Sequence, residues 1–169
     1  MSGQTPAWLL RPLAAGYTSA LHSAISTQEL SIAMSDSLRH VKLTETVAAA
    51  PQIHVEDMSA IAAAGYQVVI NNRPDGEAMG QPSSDELRAA AEAAGLEYHY
   101  YPLNAFNYPG NDIGAMADLF DGARPVFAFC RSGTRSSNLW ISSRPADARD
   151  AARQHAQQLG FDVSMSFAV

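Results

Sequence analysis

Apolar residues recur with two different spacings between Leu38 and the carboxyl terminus of this chain. Short apolar runs predict buried strands, and apolar positions three or four residues apart predict helices. The predicted strands cover residues 46–53, 67–72, 97–103 and 126–130. The predicted helices cover residues 54–64, 84–94, 113–120, 134–143 and 146–159. Because strands and helices alternate, the pattern favours a three-layer α/β fold with a mainly parallel central sheet.

Residues at the boundaries of these segments support the prediction. Ser83 and Glu86 have the spacing of a capping box, in which each residue satisfies a backbone amide at the start of a helix. The strand over residues 126–130 is apolar throughout, so both of its faces should be buried. The strand over residues 46–53 contains Pro51, which has no amide hydrogen for a ladder, so we expect this strand at an edge of the sheet.

The first 33 residues differ from the rest of the chain, since Arg11 and Glu29 are their only charged side chains. They show no regular apolar spacing, and we interpret residues 1–37 as a weakly structured tail before an α/β domain at residues 38–169. In a second interpretation, Met34 is the true start of the protein. A chain that begins at Met34 is expected to fold with unchanged thermal stability.

Composition narrows the class of protein. Apolar residues make up 47% of the 169-residue chain, which is typical of a globular domain and too high for a disordered one. The net charge of −6 disfavours non-specific binding to nucleic acid. The apolar runs are too short for a membrane-spanning segment, so no membrane insertion is expected.

Cys130 is the only cysteine, which excludes an intrachain disulfide and any zinc site built on several thiolates. A single thiol is compatible with a reducing compartment, and we expect a cytoplasmic location. The five histidines do not have the spacing of metal ligands. The sequence therefore predicts no metal and no organic cofactor.

The strongest chemical pattern is Cys130-Arg-Ser-Gly-Thr-Arg-Ser, between the last predicted strand and a helix. Free backbone amides and the helix dipole favour an anion at such a junction. A glycine in the middle allows the loop to curl into a nest of amides. The predicted anion-binding loop consists of Arg131, Ser132, Gly133 and Thr134.

Three side chains of this pattern have candidate catalytic roles. Arg135 offers a planar fork of donors for a tetrahedral oxyanion. Positive charge and the helix N-terminus favour the thiolate form of Cys130, which is the nucleophilic form. Ser136 can donate a hydrogen bond to that thiolate and ease its departure from a covalent intermediate. The structural alternative, a small core cysteine that ends a strand, leaves the glycine, both arginines and both serines unexplained.

Further polar residues follow other predicted strands, whose carboxyl ends form the ligand site of an open α/β sheet. Arg73 is a candidate for anion binding. Glu77 or Asp75 is a candidate either for a catalytic acid or for a carboxylate that holds Arg135. Asp112 is the only acid in the loop after the third predicted strand, where it is either a proton donor or a helix N-cap.

Residues 43–140 resemble the phosphatase-like domain of the beta-lactamase hydrolase-like family, members of which are also called sulfurtransferase-like. The matching segments are residues 51–53, 65–77, 101–103, 129–136 and 139–140. The resemblance implies a fold like that of dual-specificity and tyrosine phosphatases. It also implies a catalytic cysteine at Cys130 and a catalytic arginine at Arg135.

The sequence departs from ordinary tyrosine and dual-specificity phosphatases in three ways. Arg135 follows Cys130 by five positions instead of six, which is similar to the spacing of the rhodanese loop. Phe129 stands where those phosphatases usually have a histidine, and Asp112 is the only acid in the loop that carries their general acid. The Gly-His-Ile-x-Gly-Ala run of rhodaneses is absent. The short loop therefore favours sulfur chemistry, while the surrounding chain favours the phosphatase fold.

Three functions remain open from the sequence. The first is hydrolysis of a phosphate ester through a covalent intermediate on Cys130, with a small anion or a phosphorylated side chain as substrate. The second is sulfur transfer through a persulfide on Cys130, and the third is oxyanion binding without turnover. The resemblance also suggests a link to a metallo-beta-lactamase-like protein of sulfur metabolism, because some family members are fused to such a domain.

Overall fold

The computed structural model describes residues 38–168. Its strands are β1 (Val41–Lys42), β2 (Val47–Ala50), β3 (Val68–Asn71), β4 (Glu97–Tyr100) and β5 (Val126–Phe129). Its α-helices are α1 (Met58–Ala63), α2 (Ser84–Ala93), α3 (Ile113–Asp121), α4 (Thr134–Ser142) and α5 (Arg149–Gln158). Short 3₁₀ turns cover Val55–Asp57 and Ser164–Ala168. The predicted tail at residues 1–37, which includes the alternative start at Met34, lies outside the described residues.

The five strands form one sheet in the order β1-β2-β5-β3-β4. The strands β2, β5, β3 and β4 run parallel, with Val126 of β5 opposite both Val47 and Val68. Within residues 38–168, β1 alone is antiparallel. Because β5 is the central strand, the loop that follows it opens in the middle of the carboxyl edge of the sheet.

Helices cover both faces of the sheet, which confirms the predicted three-layer α/β fold. One core lies between the sheet and the helices α3, α4 and α5, and its largest members include Leu139, Trp140 and Phe120. The other core lies between the sheet and the helices α1 and α2, and it contains Phe127, Phe129 and Leu87. Successive residues of β5 alternate between the two cores, so the whole strand is buried, as predicted.

The strand predicted at residues 46–53 is present in the sequence region expected, but the prediction that it lies at an edge of the sheet is wrong. Its regular part is β2, which is fully buried between β1 and β5 rather than at an edge. The two-residue strand β1 covers its outer side, with Val41 opposite Ala49. The ladder ends at Ala50, immediately before Pro51, so the proline does not interrupt it.

The predicted starts of α2 and α3 are confirmed by their hydrogen bonds, whereas α1 and α5 begin three or four residues later than predicted. The Ser83 hydroxyl accepts from the Glu86 amide, and the Glu86 carboxylate accepts from the Ser83 amide at 2.8 Å. The Asp112 carboxylate accepts from the Ala115 amide at 2.9 Å and caps α3. None of the helices between residues 38 and 168 is long and apolar enough to cross a membrane.

Candidate active site

The loop after β5 is held against the end of β2. The Cys130 amide donates to the Ala50 carbonyl at 3.2 Å, and the Gln52 amide donates to the Arg131 carbonyl at 3.4 Å. These bonds extend the pairing of the two strands beyond their regular ends. Cys130 is buried, with 1% of its surface exposed, so the backbone fixes the position of its sulfur.

Gly133 closes the loop around that sulfur. Its φ of +89° lies in the left-handed region that glycine adopts without steric cost. A Cβ at this position would also lie 3.1 Å from the Phe161 ring. In this conformation the Gly133 amide donates to the Cys130 Sγ at 3.1 Å. The glycine is therefore required both by the backbone angle and by the space.

The loop and the first turn of α4 leave a row of backbone donors free. Within residues 38–168, no protein acceptor is present for the amides of Arg131, Ser132, Thr134, Arg135 and Ser136. The first bond of the helix runs from the Ser137 amide to the Gly133 carbonyl at 2.9 Å. Amides at a helix start have no partner inside the helix and attract anions. The structure thus provides the oxyanion-binding donors that the sequence predicts next to Cys130.

The Arg135 guanidinium lies beside this loop and is fixed by three hydrogen bonds. Its Nη1 donates to Glu77 Oε1 at 2.6 Å and to the Leu103 carbonyl at 2.8 Å, and its Nη2 donates to Glu77 Oε2 at 2.9 Å. A guanidinium has five N–H donors, and these bonds use three of them. The two that remain, the Nε–H and the second Nη2–H, lie side by side on one edge of the group. That edge is the part of Arg135 that can bind an oxyanion in a bidentate manner.

The pKa of the Arg135 guanidinium is raised by the groups around it. Hydrogen bonding to Glu77 raises this pKa above its ordinary value, and the nearby Cys130 sulfur adds to the effect, while burial opposes it. The arginine is therefore next to both the carboxylate that holds it and the candidate nucleophile. This neighbourhood agrees with the sequence prediction for the two residues.

Glu77 binds two arginines at once. Besides Arg135, it accepts from Arg73 Nε at 2.9 Å. Hydrogen bonding from Arg135 is the main reason why the pKa of Glu77 is lowered, with a smaller contribution from Arg73 and an opposing one from burial. A carboxylate that is held ionised is a poor proton donor. Of the two roles predicted for Glu77, the geometry supports the one in which it positions Arg135.

Arg73 contacts both Glu77 and Gln52. It is 6% exposed, and its Nη1 donates to Gln52 Oε1 at 2.8 Å. Its bonds to Glu77 and Gln52 support a role in holding Glu77, and the anion binding that the sequence suggested stays a prediction. The role of Gln52 was missed by the sequence analysis, although Gln52 lies in a segment that matches the family. Its contact with Arg73 spans 21 positions, which no local pattern reveals.

The other two candidate acids are both engaged at helix starts. The Asp75 carboxylate accepts from the Ser84 amide at 2.8 Å, in the first turn of α2. Asp112 caps α3 through the Ala115 amide. In the part of the chain that the structure describes, neither carboxylate forms a hydrogen bond or ion pair with a residue of the anion-binding loop. The capping prediction for Asp112 is therefore confirmed, and a proton-donor role for it remains a prediction.

Ser136 has an unusual environment for a hydroxyl. Its side chain is fully buried, and its Oγ has no hydrogen-bond partner within residues 38–168. The predicted hydrogen bond from Ser136 to the Cys130 sulfur is thus not present in this structure. A buried hydroxyl without a partner costs free energy, typically about 1–3 kcal/mol.

The remaining loop residues face solvent to different degrees. Arg131 and Ser132 are exposed, and Thr134 is half-buried. The Ser132 hydroxyl donates to the Thr134 Oγ1 at 3.1 Å, which ties the two ends of the turn together. The structure therefore brings together Cys130, the predicted loop and Arg135, with Glu77 and Arg73 as supports behind them.

A buried cysteine, a loop of free amides and an arginine at the end of the central parallel strand define a cysteine-type, phosphatase-like site. Residues 38–148 match the family described as beta-lactamase hydrolase-like protein, phosphatase-like domain. The chain belongs to this family. The resemblance on which the sequence prediction relied is thereby confirmed.

Known proteins support this assignment. The beta-lactamase hydrolase-like protein of Agrobacterium fabrum is 34% identical over 113 residues, which cover 66% of this chain and 26% of the relative. A Neisseria meningitidis protein to which phosphatase activity is attributed has 32% identity and a TM-score of 0.62 over 73% of this chain and 89% of its own. This chain spans about a quarter of the length of the Agrobacterium relative.

A more distant structure shows the same fold. The C132S variant of TpbA from Pseudomonas aeruginosa, solved in complex with phosphotyrosine, has a TM-score of 0.53 and 14% identity. The similarity covers 78% of this chain and 90% of that chain. At this identity the likeness concerns the fold alone, which is that of tyrosine-phosphatase-like proteins.

Proposed function

We propose that this chain hydrolyses phosphate monoesters through a covalent intermediate on Cys130. The observation that carries the proposal is the set of donors without an acceptor in the described chain, which comprises five amides of the loop after Cys130 and the first turn of α4, together with one edge of Arg135. These donors match the equatorial oxygens of a phosphoryl group in transfer. Their positions are fixed before the substrate binds, because β2 holds the loop and Glu77 holds the arginine.

The proposed reaction has two displacement steps. In the first, the Cys130 thiolate attacks phosphorus, an S–P bond forms, and the ester P–O bond breaks. The leaving oxygen takes the electron pair and then a proton. In the second, water attacks phosphorus, the S–P bond breaks, and phosphate leaves while the thiolate is restored. The negative charge that spreads over the phosphoryl oxygens in both steps is stabilised by the amides and by Arg135.

Ser136 acts in the second step of this proposal. Its buried hydroxyl has no partner within residues 38–168, and in this proposal the O–H turns to the sulfur as the S–P bond breaks. A hydrogen bond to a charged group is stronger than one to a neutral group. The hydroxyl therefore stabilises the departing thiolate more than the neutral thiol.

The proposal favours substrates with good leaving groups. All three candidate acids are engaged, Glu77 by two arginines and the aspartates by helix amides. A proton donor typically accelerates such reactions by about 10²–10⁴, and it matters most for alkoxides. Aryl phosphates, whose phenoxides leave without much help, are therefore the preferred class. The phosphotyrosine in the TpbA complex belongs to this class.

The second candidate is sulfur transfer, which is also supported by the engagement of Glu77, Asp75 and Asp112 in other bonds. The thiolate of Cys130 would attack the outer sulfur of a thiosulfate-type donor, an S–S bond would form, and sulfite would leave with the electron pair. A thiol or cyanide would then take the sulfur and restore the thiolate. Neither step needs a proton donor, and the spacing of five positions between Cys130 and Arg135 suits a small group on the sulfur.

Steady-state turnover separates these functions. We expect release of phosphate from 4-nitrophenyl phosphate, slower release from phenyl phosphate, and no release by Cys130→Ser. Sulfur transfer from thiosulfate to cyanide, without phosphate release, would replace the proposal with the second candidate. Binding of phosphate without either turnover would show that the loop is an oxyanion-binding module.

A further inference from the structure

Two large apolar side chains are fully exposed on loops that contact Arg135. Met79 is 103% exposed and Phe106 is 99% exposed. The other exposed large apolar residues of the described chain are Val55 at 37% and Phe167 at 67%. Phe167 is covered by the Arg153 guanidinium, whose carbon lies 4.5 Å from the ring centre. Met79 and Phe106 are thus the two most exposed apolar side chains between residues 38 and 168.

Both residues belong to loops that hold Arg135. Met79 follows Glu77 by two positions, and Phe106 follows Leu103 by three positions. Glu77 and Leu103 both accept hydrogen bonds from Arg135. The reach of a peptide chain limits the Cα atoms of Met79 and Phe106 to about 7 Å and about 11 Å from those of Glu77 and Leu103. The two side chains therefore belong to two different loops, each of which accepts a hydrogen bond from Arg135.

The loop of Phe106 is ordered by its own hydrogen bonds. Asn104 Oδ1 accepts from the Phe106 amide at 2.8 Å, and Asn107 Oδ1 accepts from the Asn104 amide at 2.7 Å. The Tyr108 hydroxyl donates to the Asn138 carbonyl at 2.7 Å and ties the loop to α4. A loop that is fixed in this way presents Phe106 to solvent without the entropy loss that ordering would otherwise cost.

The loop of Met79 is closed by a different residue. Gln81 Nε2 donates to the Pro74 carbonyl at 2.9 Å, and the Gln81 amide donates to the Ala78 carbonyl at 3.3 Å. These bonds join the two ends of the turn that contains Met79. Methionine is flexible and adapts its shape to an apolar ligand.

The charges near these side chains bear on what they bind. Asp75, Glu77 and Asp112 lie on or next to the same two loops, and the whole chain has a net charge of −6. An anionic membrane surface would be repelled by this arrangement. The uncharged part of a small phosphate ester is compatible with it, because the phosphate itself is bound by the loop and Arg135.

We propose that Met79 and Phe106 form an apolar rim that binds the uncharged leaving group of the substrate. This inference rests on the proposed function and deepens it, since it narrows the substrate class to phosphate esters of apolar phenols. Single exposed apolar residues are common on protein surfaces. Met79 and Phe106 differ from such residues because both are fully exposed and both lie on hydrogen-bonded loops that contact Arg135.

The test measures binding, so that it does not depend on turnover. Calorimetry with the full chain would follow the affinity for methyl-, ethyl-, propyl- and butylphosphonate, which cannot be hydrolysed. We expect the affinity of the wild type to rise about two- to fourfold per added methylene, where the upper value corresponds to full burial. The double variant Met79→Ala/Phe106→Ala should lose this dependence, and Val55→Ala, the control, should retain it.

Each result distinguishes the rim from the proposed function. An affinity that does not rise with chain length in the wild type, or that still rises in the double variant, overturns the rim. The rim is also overturned if the wild type binds phosphatidylcholine vesicles through these residues while the phosphonates show no trend, which would indicate a membrane surface. If the affinity for the phosphonates rises with chain length but the protein hydrolyses no phosphate ester, the rim is supported and the proposed hydrolysis is contradicted.

Discussion

The anion-binding loop and the neighbouring carboxylates are two halves of one site with opposite hydrogen-bonding states. In the loop and the first turn of α4, five backbone donors and one edge of Arg135 have no acceptor within the described residues. Among the carboxylates, Glu77, Asp75 and Asp112 all accept bonds from protein groups. The amides and Arg135 still have donors to offer a ligand, whereas the carboxylates already bind groups of the protein.

This difference indicates what the site contributes to chemistry. Free donors next to a nucleophile stabilise an oxyanion that develops during group transfer. Carboxylates that are engaged as caps and ion-pair partners are not poised to give up protons. We therefore expect the site to combine strong anion stabilisation with weak acid catalysis, and each of the following variants alters one of the two halves.

Arg135→Lys should produce the largest loss, because it removes the guanidinium fork that Glu77 and the Leu103 carbonyl hold beside the loop. A point charge cannot reproduce a bidentate contact, and removal of one oxyanion donor typically lowers kcat by about 10²–10³. Steady-state kinetics with 4-nitrophenyl phosphate measure this. Arg124→Lys, at the exposed edge of the sheet, serves as the matched control. Retention of most of the activity by Arg135→Lys would mean that the amides alone bind the oxyanion.

Glu77→Gln should have the next largest effect, because it frees Arg135 from its support. Misplacement of a catalytic group by about 1 Å costs about 10² in rate, and we expect a loss of that order in kcat/KM. The matched control is Glu97→Gln, which removes another carboxylate paired with an arginine. If Glu77→Gln instead impaired only esters with poor leaving groups, Glu77 would be a proton donor.

The pH dependence of stability offers a separate check on Glu77. Because its pKa is lowered in the folded protein from an ordinary value of 4.5, its contribution to stability is complete above pH 4.5. That contribution disappears as the pH falls through the folded value. The difference in unfolding free energy between the wild type and Glu77→Gln should therefore be constant near neutral pH and shrink in acid. A difference that grows in acid would contradict the ion pair.

The sequence indicated the donor half directly, whereas for Glu77 and Asp112 it left two roles open, between which the structure was needed to choose. The loop is local, so a buried strand, Gly133 and a helix start indicate its geometry directly. The supports are not local, since Glu77 meets Arg135 across 58 positions and Arg73 meets Gln52 across 21. The edge position predicted for β2 failed for the same reason, because the covering strand β1 is too short to have a pattern.

Ser136→Ala should produce a smaller and more selective change. Loss of a hydrogen bond to the departing thiolate slows the second step by about tenfold or more, while the first step is little affected. Rapid-mixing experiments with 4-nitrophenyl phosphate should therefore show a burst of nitrophenol that the wild type lacks. Ser137→Ala, whose hydroxyl bonds only to the Thr134 carbonyl, is the control and should show no burst. Equal slowing of both steps would contradict the assignment of Ser136.

Asp112→Asn should have the smallest effect, because asparagine caps a helix as well as aspartate does. The ratio of rates for 4-nitrophenyl phosphate and phenyl phosphate should stay unchanged. Asp112→Ala should lower the free energy of unfolding by about 1 kcal/mol through loss of the cap, which thermal denaturation would show. A selective loss of phenyl phosphate turnover in Asp112→Asn would identify Asp112 as the general acid after all.

Mass spectrometry of Cys130 after acid quenching most directly tests the proposal that this residue carries a phosphoryl group. The protein is mixed in parallel with 4-nitrophenyl phosphate and with thiosulfate, and Ser136→Ala is included because it should accumulate the intermediate. We predict a phosphoryl group on the Cys130 peptide after the first reagent and no sulfur adduct after the second. An unmodified Cys130 after the aryl phosphate, together with a persulfide after thiosulfate, would contradict the proposed hydrolysis and establish sulfur transfer as the chemistry of this site.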